Sequence, residues 1–186
     1  MDTHEYALVI VEELRQVLSA VDAETCERLA SAILGAGKVL VAGAGRSGLA
    51  ARAFAMRLMH MGFDAYVVGE TVTPNLEPGD LFLIASGSGE TGSLVVMSEK
   101  ARRIGATLAT VTVNPEGTVA KRSDIVVRIP APTPKAPGAK GLRSVQPMGS
   151  LFEQALLLVL DAVILRLMER RGLDSDTMFT RHANLE

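Results

Sequence analysis

The sequence contains no tryptophan, and two tyrosines and five phenylalanines bring the aromatic share of its 186 residues to only 4%. Proteins that hold single-stranded nucleic acid stack bases on aromatic side chains set among basic ones, and this chain cannot build such a platform. It also has no excess of positive charge. Its 19 Lys and Arg stand against 21 Asp and Glu, for a net charge of -2, and no basic arm or stripe is available to neutralise a phosphate backbone. Nucleic acid is therefore not an expected partner. The single cysteine, Cys26, excludes an internal disulfide. In its apolar helical setting it reads as a small buried hydrophobe, in keeping with a reducing cytoplasm. Three separated histidines and one cysteine offer no metal-ligand spacing, so no metal is expected. No Ser or Cys has a His and an acid patterned beside it as an activated nucleophile would.

Long apolar runs are missing too. The most apolar stretch, Ala155 to Met168, is too short to cross a bilayer and carries Asp161 and Arg166, so it reads as a buried or subunit-interface helix and no membrane partner is expected. The first residues, Met1-Asp2-Thr3-His4-Glu5, are polar and acidic, without the positive start and apolar core of an export signal. A cytoplasmic protein is expected.

What the chain does have is 48% hydrophobic residues and 17 glycines, placed with regularity. Ile10, Val11, Leu14, Val17 and Leu18 follow helical spacing from Ala7, and a second helix is predicted from after Asp22 to near Gly35. Short apolar runs then alternate with helical segments. Strands are expected at 38–42, 65–68, 81–85, 107–113 and 125–129, and helices at 49–61, up to Ile104, near 118–121 and over about 149–171, with Gly62 closing one of them. Alternation of this kind predicts an α/β domain with a doubly wound parallel sheet covered on both faces. One domain is expected over 1–186: helices in 1–36, the sheet core in 37–130, a connection rich in Pro, Gly, Lys and Ala in 131–148 that could lie over a site, and a helix and tail in 149–186.

Two of the strand-to-helix loops are rich in glycine and hydroxyls: Gly43-Ala44-Gly45-Arg46-Ser47-Gly48 and Ser86-Gly87-Ser88-Gly89-Glu90-Thr91. In a parallel sheet both lie at the carboxyl ends of strands, facing one crevice. Gly87 and Gly89 let the backbone come close, Ser86, Ser88 and Thr91 supply hydroxyls, and a helix start adds unpaired N–H groups, all of which suits a phosphate monoester. Such residues also serve as ordinary caps and turns. The first loop satisfies the dinucleotide pattern Gly-x-Gly-x-x-Gly as well, with Glu70 near the place of a ribose-binding acid. Against that reading, there is no second domain to hold a substrate, and the hydroxyl-rich second loop goes unused.

Both loops, with Val68-Gly69-Glu70-Thr71, Phe54-Ala55-Met56-Arg57-Leu58-Met59-His60, Pro147-Met148-Gly149-Ser150-Leu151-Phe152-Glu153 and Arg181-His182-Ala183-Asn184-Leu185, resemble the sugar isomerase (SIS) family of phosphosugar isomerases and phosphosugar-responsive regulators. The similarity runs over nearly the whole chain. It extends to members that interconvert arabino-3-hexulose 6-phosphate and fructose 6-phosphate in the ribulose monophosphate pathway of formaldehyde fixation. The resemblance implies a five-stranded flavodoxin-like sheet, a homodimer or homotetramer with shared sites, a small phosphosugar as partner, and neither metal nor cofactor. It implies that Ser47, Ser86, Ser88 and Thr91, with Gly45, Gly87 and Glu90 around them, bind the phosphosugar. Arg46 would meet the sugar or its developing charge, Glu153 would act as the base, and His182 would join the site from the C-terminal tail. Two other readings remain at this point: an aldose-ketose isomerase such as one acting on arabinose 5-phosphate, and a phosphosugar-binding module without catalysis.

Moving a carbonyl from C3 to C2 needs a proton taken from C2, a stabilised 2,3-enediolate and a proton returned to C3. One carboxylate can make both transfers, and Arg46 or a loop N–H could stabilise the enediolate oxygen. Glu153 as a mere acid in a first helical turn, Glu90 as a helix N-terminal acid, His60 as a packed histidine and Arg181-His182 as the cap of a last turn are the plainer alternatives.

Overall fold

The computed structural model describes residues 1–133 and 143–185. Two helices come first, α1 (Thr3–Leu18) and α2 (Ala23–Gly35), each opened by an aspartate whose carboxylate accepts a first-turn N–H: Asp2 from Glu5 and Asp22 from Thr25. The sheet follows as β1 (Val39–Gly43), β2 (Ala65–Val67), β3 (Leu81–Ala85), β4 (Thr107–Thr112) and β5 (Ile125–Arg128), interleaved with α3 (Gly45–His60), α4 (Gly92–Ile104) and α5 (Thr118–Arg122). The chain closes with the long α6 (Ser150–Arg171) and the short α7 (Ser175–Phe179). All strands are parallel in the order β2-β1-β3-β4-β5. This is the expected doubly wound sheet, with its change of direction between β1 and β3, where ligands bind in folds of this class.

The apolar strands bury both faces. Val39, Val41, Leu81, Leu83, Ala109 and Val111 point into a core shared with α2, α3 and α6, while Leu40, Ala42, Phe82, Ile84 and Leu108 point the other way, onto Leu94 and Ala101 of α4 and Val119 of α5. The long helix is buried along Leu151, Phe152, Ala155, Leu156, Leu160 and Leu167. No helix among the described residues is long and apolar enough to cross a membrane.

Three local expectations need correction. The third helix starts at Gly45 rather than Leu49, so Arg46, Ser47 and Gly48 form its first turn instead of a loop. The cause is a close backbone contact: a Cβ on Gly48 would stand 2.6 Å from the Gly43 carbonyl oxygen, so the helix can begin directly against the strand end only with glycine at both places. The edge strand β2 is shorter than expected, although the Val68 N–H still bonds to the Val41 oxygen at 2.9 Å. Cys26 is half-buried rather than buried; its burial, with Asp22 and Glu27 nearby, pushes the thiol upward. Of the Pro- and Gly-rich connection, 134–142 lie outside the described residues, and 143–149 are irregular.

Candidate active site

The carboxyl ends of β1 and β3 deliver the two glycine loops side by side, with Gly43 paired to Ala85. The loop after β3 is held from beneath by the turn that follows β4, a support that sequence reasoning missed. Thr112 Oγ1 and the Val113 N–H donate to the Gly87 oxygen at 3.1 and 3.1 Å, Asn114 Nδ2 donates to the Ser88 oxygen at 3.3 Å, and the Val119 N–H donates to the Gly89 oxygen at 3.1 Å. A Cβ on Gly117 would come within 2.9 Å of that Ser88 oxygen, and Gly89 takes φ +69°, so both glycines are required by the close approach. With its carbonyls engaged below, the loop presents Gly87 and Ser88 to the cleft.

Within the loop the hydroxyls differ. Ser86 is buried, and its Oγ accepts the Gly89 N–H at 3.2 Å, which makes it a staple of the loop. Ser88 Oγ accepts the Glu90 N–H at 3.2 Å, and its side chain lines the cleft. Each keeps a hydroxyl hydrogen to donate. Thr91 opens α4 without capping it through its side chain. Glu90 turns away: its carboxylate accepts the Thr118 N–H at 2.7 Å and Thr118 Oγ1 at 2.9 Å, fastening the start of α5, and these two bonds, backbone first, hold its carboxyl below the ordinary glutamate value.

Ser47, Gly87, Ser88, Thr133, Met148, Gly149, Phe152 and Glu153 line a cleft of about 400 Å³. Glu153 sits in the first turn of α6 with a side chain 21% exposed, and its Oε2 accepts from Arg46 Nε at 2.6 Å. The pair crosses from α6 to α3, so the guanidinium at one helix start holds the carboxylate at another. Gly87 lies so close to the Phe152 ring that a Cβ there would be 3.2 Å from it. The glycine thus lets the phosphate-loop candidate and the Glu153 turn approach one another. Thr133 and Met148 join the cleft from the two ends of the 131–148 connection, which was expected to be able to lie over a site, though neither residue was singled out for that role.

His182 is not brought to this cleft within the chain. Arg46 opens α3 and His60 ends it, about 21 Å away at 1.5 Å per residue. His182 lies at that far end, in a separate cleft of about 470 Å³ with Arg57, His60, Asp161 and Met168. Its ring stacks between those of His60 and Phe179, at centroid distances of 5.4 and 5.5 Å. His60 is the packed histidine expected. It is buried, its Nδ1 lies 3.3 Å from Arg57 Nη1, and burial, then Arg57 and His182, lower its pKa below the usual imidazole value.

Comparison with known proteins agrees with this architecture. The family model for the SIS domain matches residues 32–158. The chain is 52% identical over all 186 residues to the 3-hexulose-6-phosphate isomerase of Bacillus subtilis, covering 100% of both chains. It is 44% identical over 178 residues to the enzyme of the same name from Mycobacterium gastri, covering 96% of this chain and 88% of that one. A solved structure from Methanococcus jannaschii, from which a 3-hexulose-6-phosphate isomerase function was inferred, superposes with a TM-score of 0.85 at 33% identity, covering 98% of this chain and 99% of that one. The chain belongs to the SIS domain family.

Proposed function

We propose that the protein acts as a 3-hexulose-6-phosphate isomerase, interconverting arabino-3-hexulose 6-phosphate and fructose 6-phosphate as a cytoplasmic step of formaldehyde fixation. The observation that carries this reading is the meeting, on one cleft, of a carboxylate fixed by a guanidinium at 2.6 Å and the glycine- and serine-rich turn at Gly87 and Ser88, with Ser47 beside it. The full-length likeness to relatives bearing that activity supports it.

The phosphate is read as lying over the Ser86–Thr91 loop, facing the N–H groups at the start of α4 and the hydroxyls of Ser88 and Ser47. Ser86 acts chiefly by fixing the loop, and Gly45, with φ +56°, turns the chain so that the first N–H groups of α3 face the same place. The sugar then extends toward Glu153. Its carboxylate removes the C2 proton, the electron pair forms the 2,3-enediolate, the O2 hydroxyl proton passes to O3, and the same group returns a proton to C3 as the 2-ketone forms. Arg46, already directed at Glu153, is placed to stabilise the oxygen on which charge develops. Hydrogen moves as a proton and the oxidation of C2 balances the reduction of C3, so the reaction requires no external redox partner. With O6 phosphorylated, the 3-ketone has no hydroxyl placed to form a five- or six-membered hemiketal, and it reacts in the open chain.

His182 is read as completing the cleft of a neighbouring subunit in a homodimer or homotetramer. Supporting this is an exposed apolar strip on α3 and α6, comprising Leu49, Met56, Met59, Leu157 and Leu165, which runs between the two clefts. The buried Gln154 Oε1, without a hydrogen-bond partner among the described residues, lies with Leu49 and Leu157 of the strip.

One experiment tests base and sharing together. Glu153→Gln should keep phosphosugar binding and lose turnover by a thousandfold or so, as general-base removal does, in an assay coupling fructose 6-phosphate formation to a dehydrogenase. His182→Ala should lose less. Recovery of activity when the two variants exchange subunits supports the composite site, and no recovery after confirmed exchange refutes it. Turnover of Glu153→Gln within a few-fold of the parent removes Glu153 as the base.

A further inference from the structure

α1 contributes no residue to the cleft, yet Glu13 on this helix is buried to 8% exposure, and among the described residues its hydrogen-bond partners are uncharged. Its carboxylate is held by three donors from the far end of the chain: Ser144 Oγ to Oε2 at 2.7 Å, the Val145 N–H to Oε1 at 2.8 Å, and Gln146 Nε2 to Oε2 at 2.9 Å. Ser144 Oγ also accepts the Gln146 N–H at 3.0 Å, so three successive residues are folded around one side chain. Burial pushes the Glu13 carboxyl up. The bonds from Gln146, Val145 and Ser144 outweigh that, and it lies below its ordinary value, ionised at neutral pH.

The fastened segment leads straight into the cleft. Met148 follows with φ +53°, the one non-glycine residue in the left-handed region among those described. Such a conformation costs an L-residue energy and persists where the surroundings impose it. The Met148 side chain is 76% exposed and cannot impose it. Both of its flanks are bonded: residues 144–146 to Glu13, and the first turn of α6, where the Ser150 N–H bonds to the Pro147 oxygen at 3.1 Å and the Glu153 N–H to the Gly149 oxygen at 3.0 Å. Gly149 in turn lies against the base candidate, since a Cβ there would be 3.5 Å from Glu153 Oε1.

We propose that Glu13 is a positioning residue of the active site: by clamping Ser144–Gln146 it fixes the strained turn through Met148 and Gly149, and so the wall against which the Glu153 carboxylate is held. This rests on the reading of Glu153 as the base. The phosphate-binding groups sit on other elements, so the clamp governs proton transfer and leaves phosphate capture alone.

The test is steady-state kinetics of Glu13→Leu, which keeps bulk and removes both acceptors, beside Glu13→Gln and the double variant Ser144→Ala/Gln146→Leu. The double variant breaks the same contact from its less buried side and guards against misfolding of the first. Glu13→Leu and the double variant should lower kcat by about tenfold or more, the scale of a small misplacement of a reacting group. The KM and the inhibition constant of inorganic phosphate should stay within about twofold. Glu13→Gln should recover most of kcat, because it retains an acceptor for Val145 and the Gln146 and Ser144 side chains can reverse their polarity toward its amide. Amide exchange at Val145 should quicken in Glu13→Leu. Parental kcat in the double variant, or kcat, KM and phosphate inhibition all worsening together, overturns the proposal. Glu153→Gln is assayed alongside: if it is active, the reading of the base fails; if it is inactive while the Glu13 and strap variants turn over normally, only the clamp fails.

Discussion

At the amino ends of the strands, carboxylates accept the backbone N–H groups. Asp80 takes those of Lys38 and Glu77, each at 2.9 Å, and pairs with Lys38 Nζ at 3.3 Å, while Asp124 takes that of Leu108 at 2.9 Å and pairs with Arg102 at 2.6 Å. At the carboxyl ends, α3, α4 and α6 all start with no side-chain cap. The helices that begin elsewhere with a cap, α1, α2 and α7, use Asp2, Asp22 and Asp174. One end of the sheet satisfies its donors with the protein's own anions; at the other, apart from α5, whose Thr118 N–H bonds to Glu90, the helix starts carry no such side chain, which is what the proposed phosphate site requires. The two acids that do stand at the open end are both occupied, Glu90 by Thr118 and Glu153 by Arg46. The contrast assigns stability to one end and ligand capture to the other, and it can be broken from either side.

The largest effect is expected at the closed end. Asp80→Ala strands two backbone N–H groups and leaves Lys38 with Glu77 as its one acidic partner among the described residues, a class of loss that costs about 3 kcal/mol. Chemical denaturation should show this as a lowered midpoint with an unchanged slope. At a temperature where the variant is folded, KM and kcat should stay near parental values. A selective loss of phosphosugar binding would show that the amino end shares in the site.

The next effect comes from closing the open end as the other helices are closed. Thr91→Asp puts a good capping residue at the start of α4, whose backbone there is already extended. Thermal stability should hold or rise. Phosphosugar affinity should fall by about a hundredfold, because the carboxylate takes the N–H groups and repels the phosphate. Retained affinity by calorimetry would move the phosphate away from α4.

The carboxyl-end half of this contrast was legible in the sequence, the acids at the amino ends were not, and the gaps have physical causes. Apolar runs ending in Gly and Ser gave the strands, their order class and the loop that faces the cleft, since period and turn chemistry are local. The first turn of α3 was not legible, because Gly-Arg-Ser-Gly has the composition of a loop and becomes helical through the contact of Gly43 with Gly48. The bracing of the Ser86–Thr91 loop by Thr112, Asn114 and Gly117 depends on neighbouring strands. Glu13 stands in no motif, its partners lying more than 130 residues away. Glu90 was read at the site, but its bonds go to α5. The position of His182 against His60 depends on where the tail folds back, where the Arg181 guanidinium covers Gly62 and the chain carries no periodic signal.

The smallest effect separates the two serines that sequence reasoning treated alike. Ser88 lines the cleft, and its Oγ already accepts the Glu90 N–H, so its hydrogen is the part left for a phosphoryl oxygen. Removing one hydrogen bond to a charged group is worth about 1.5 kcal/mol, or roughly tenfold. Ser88→Ala should therefore weaken the phosphosugar and inorganic phosphate by the same factor and leave kcat at saturation unchanged, since the interaction is made equally in ground and transition states. Ser86→Ala removes a buried staple instead: the Gly89 N–H loses its acceptor, the loop loosens, and the cost falls on stability together with affinity. Calorimetric titration of phosphate and phosphosugar, read beside the melting temperature, distinguishes the two. Equal loss of affinity in both variants with no change in melting temperature would place Ser86 on the phosphate directly, and the division of labour within the loop would have to be withdrawn.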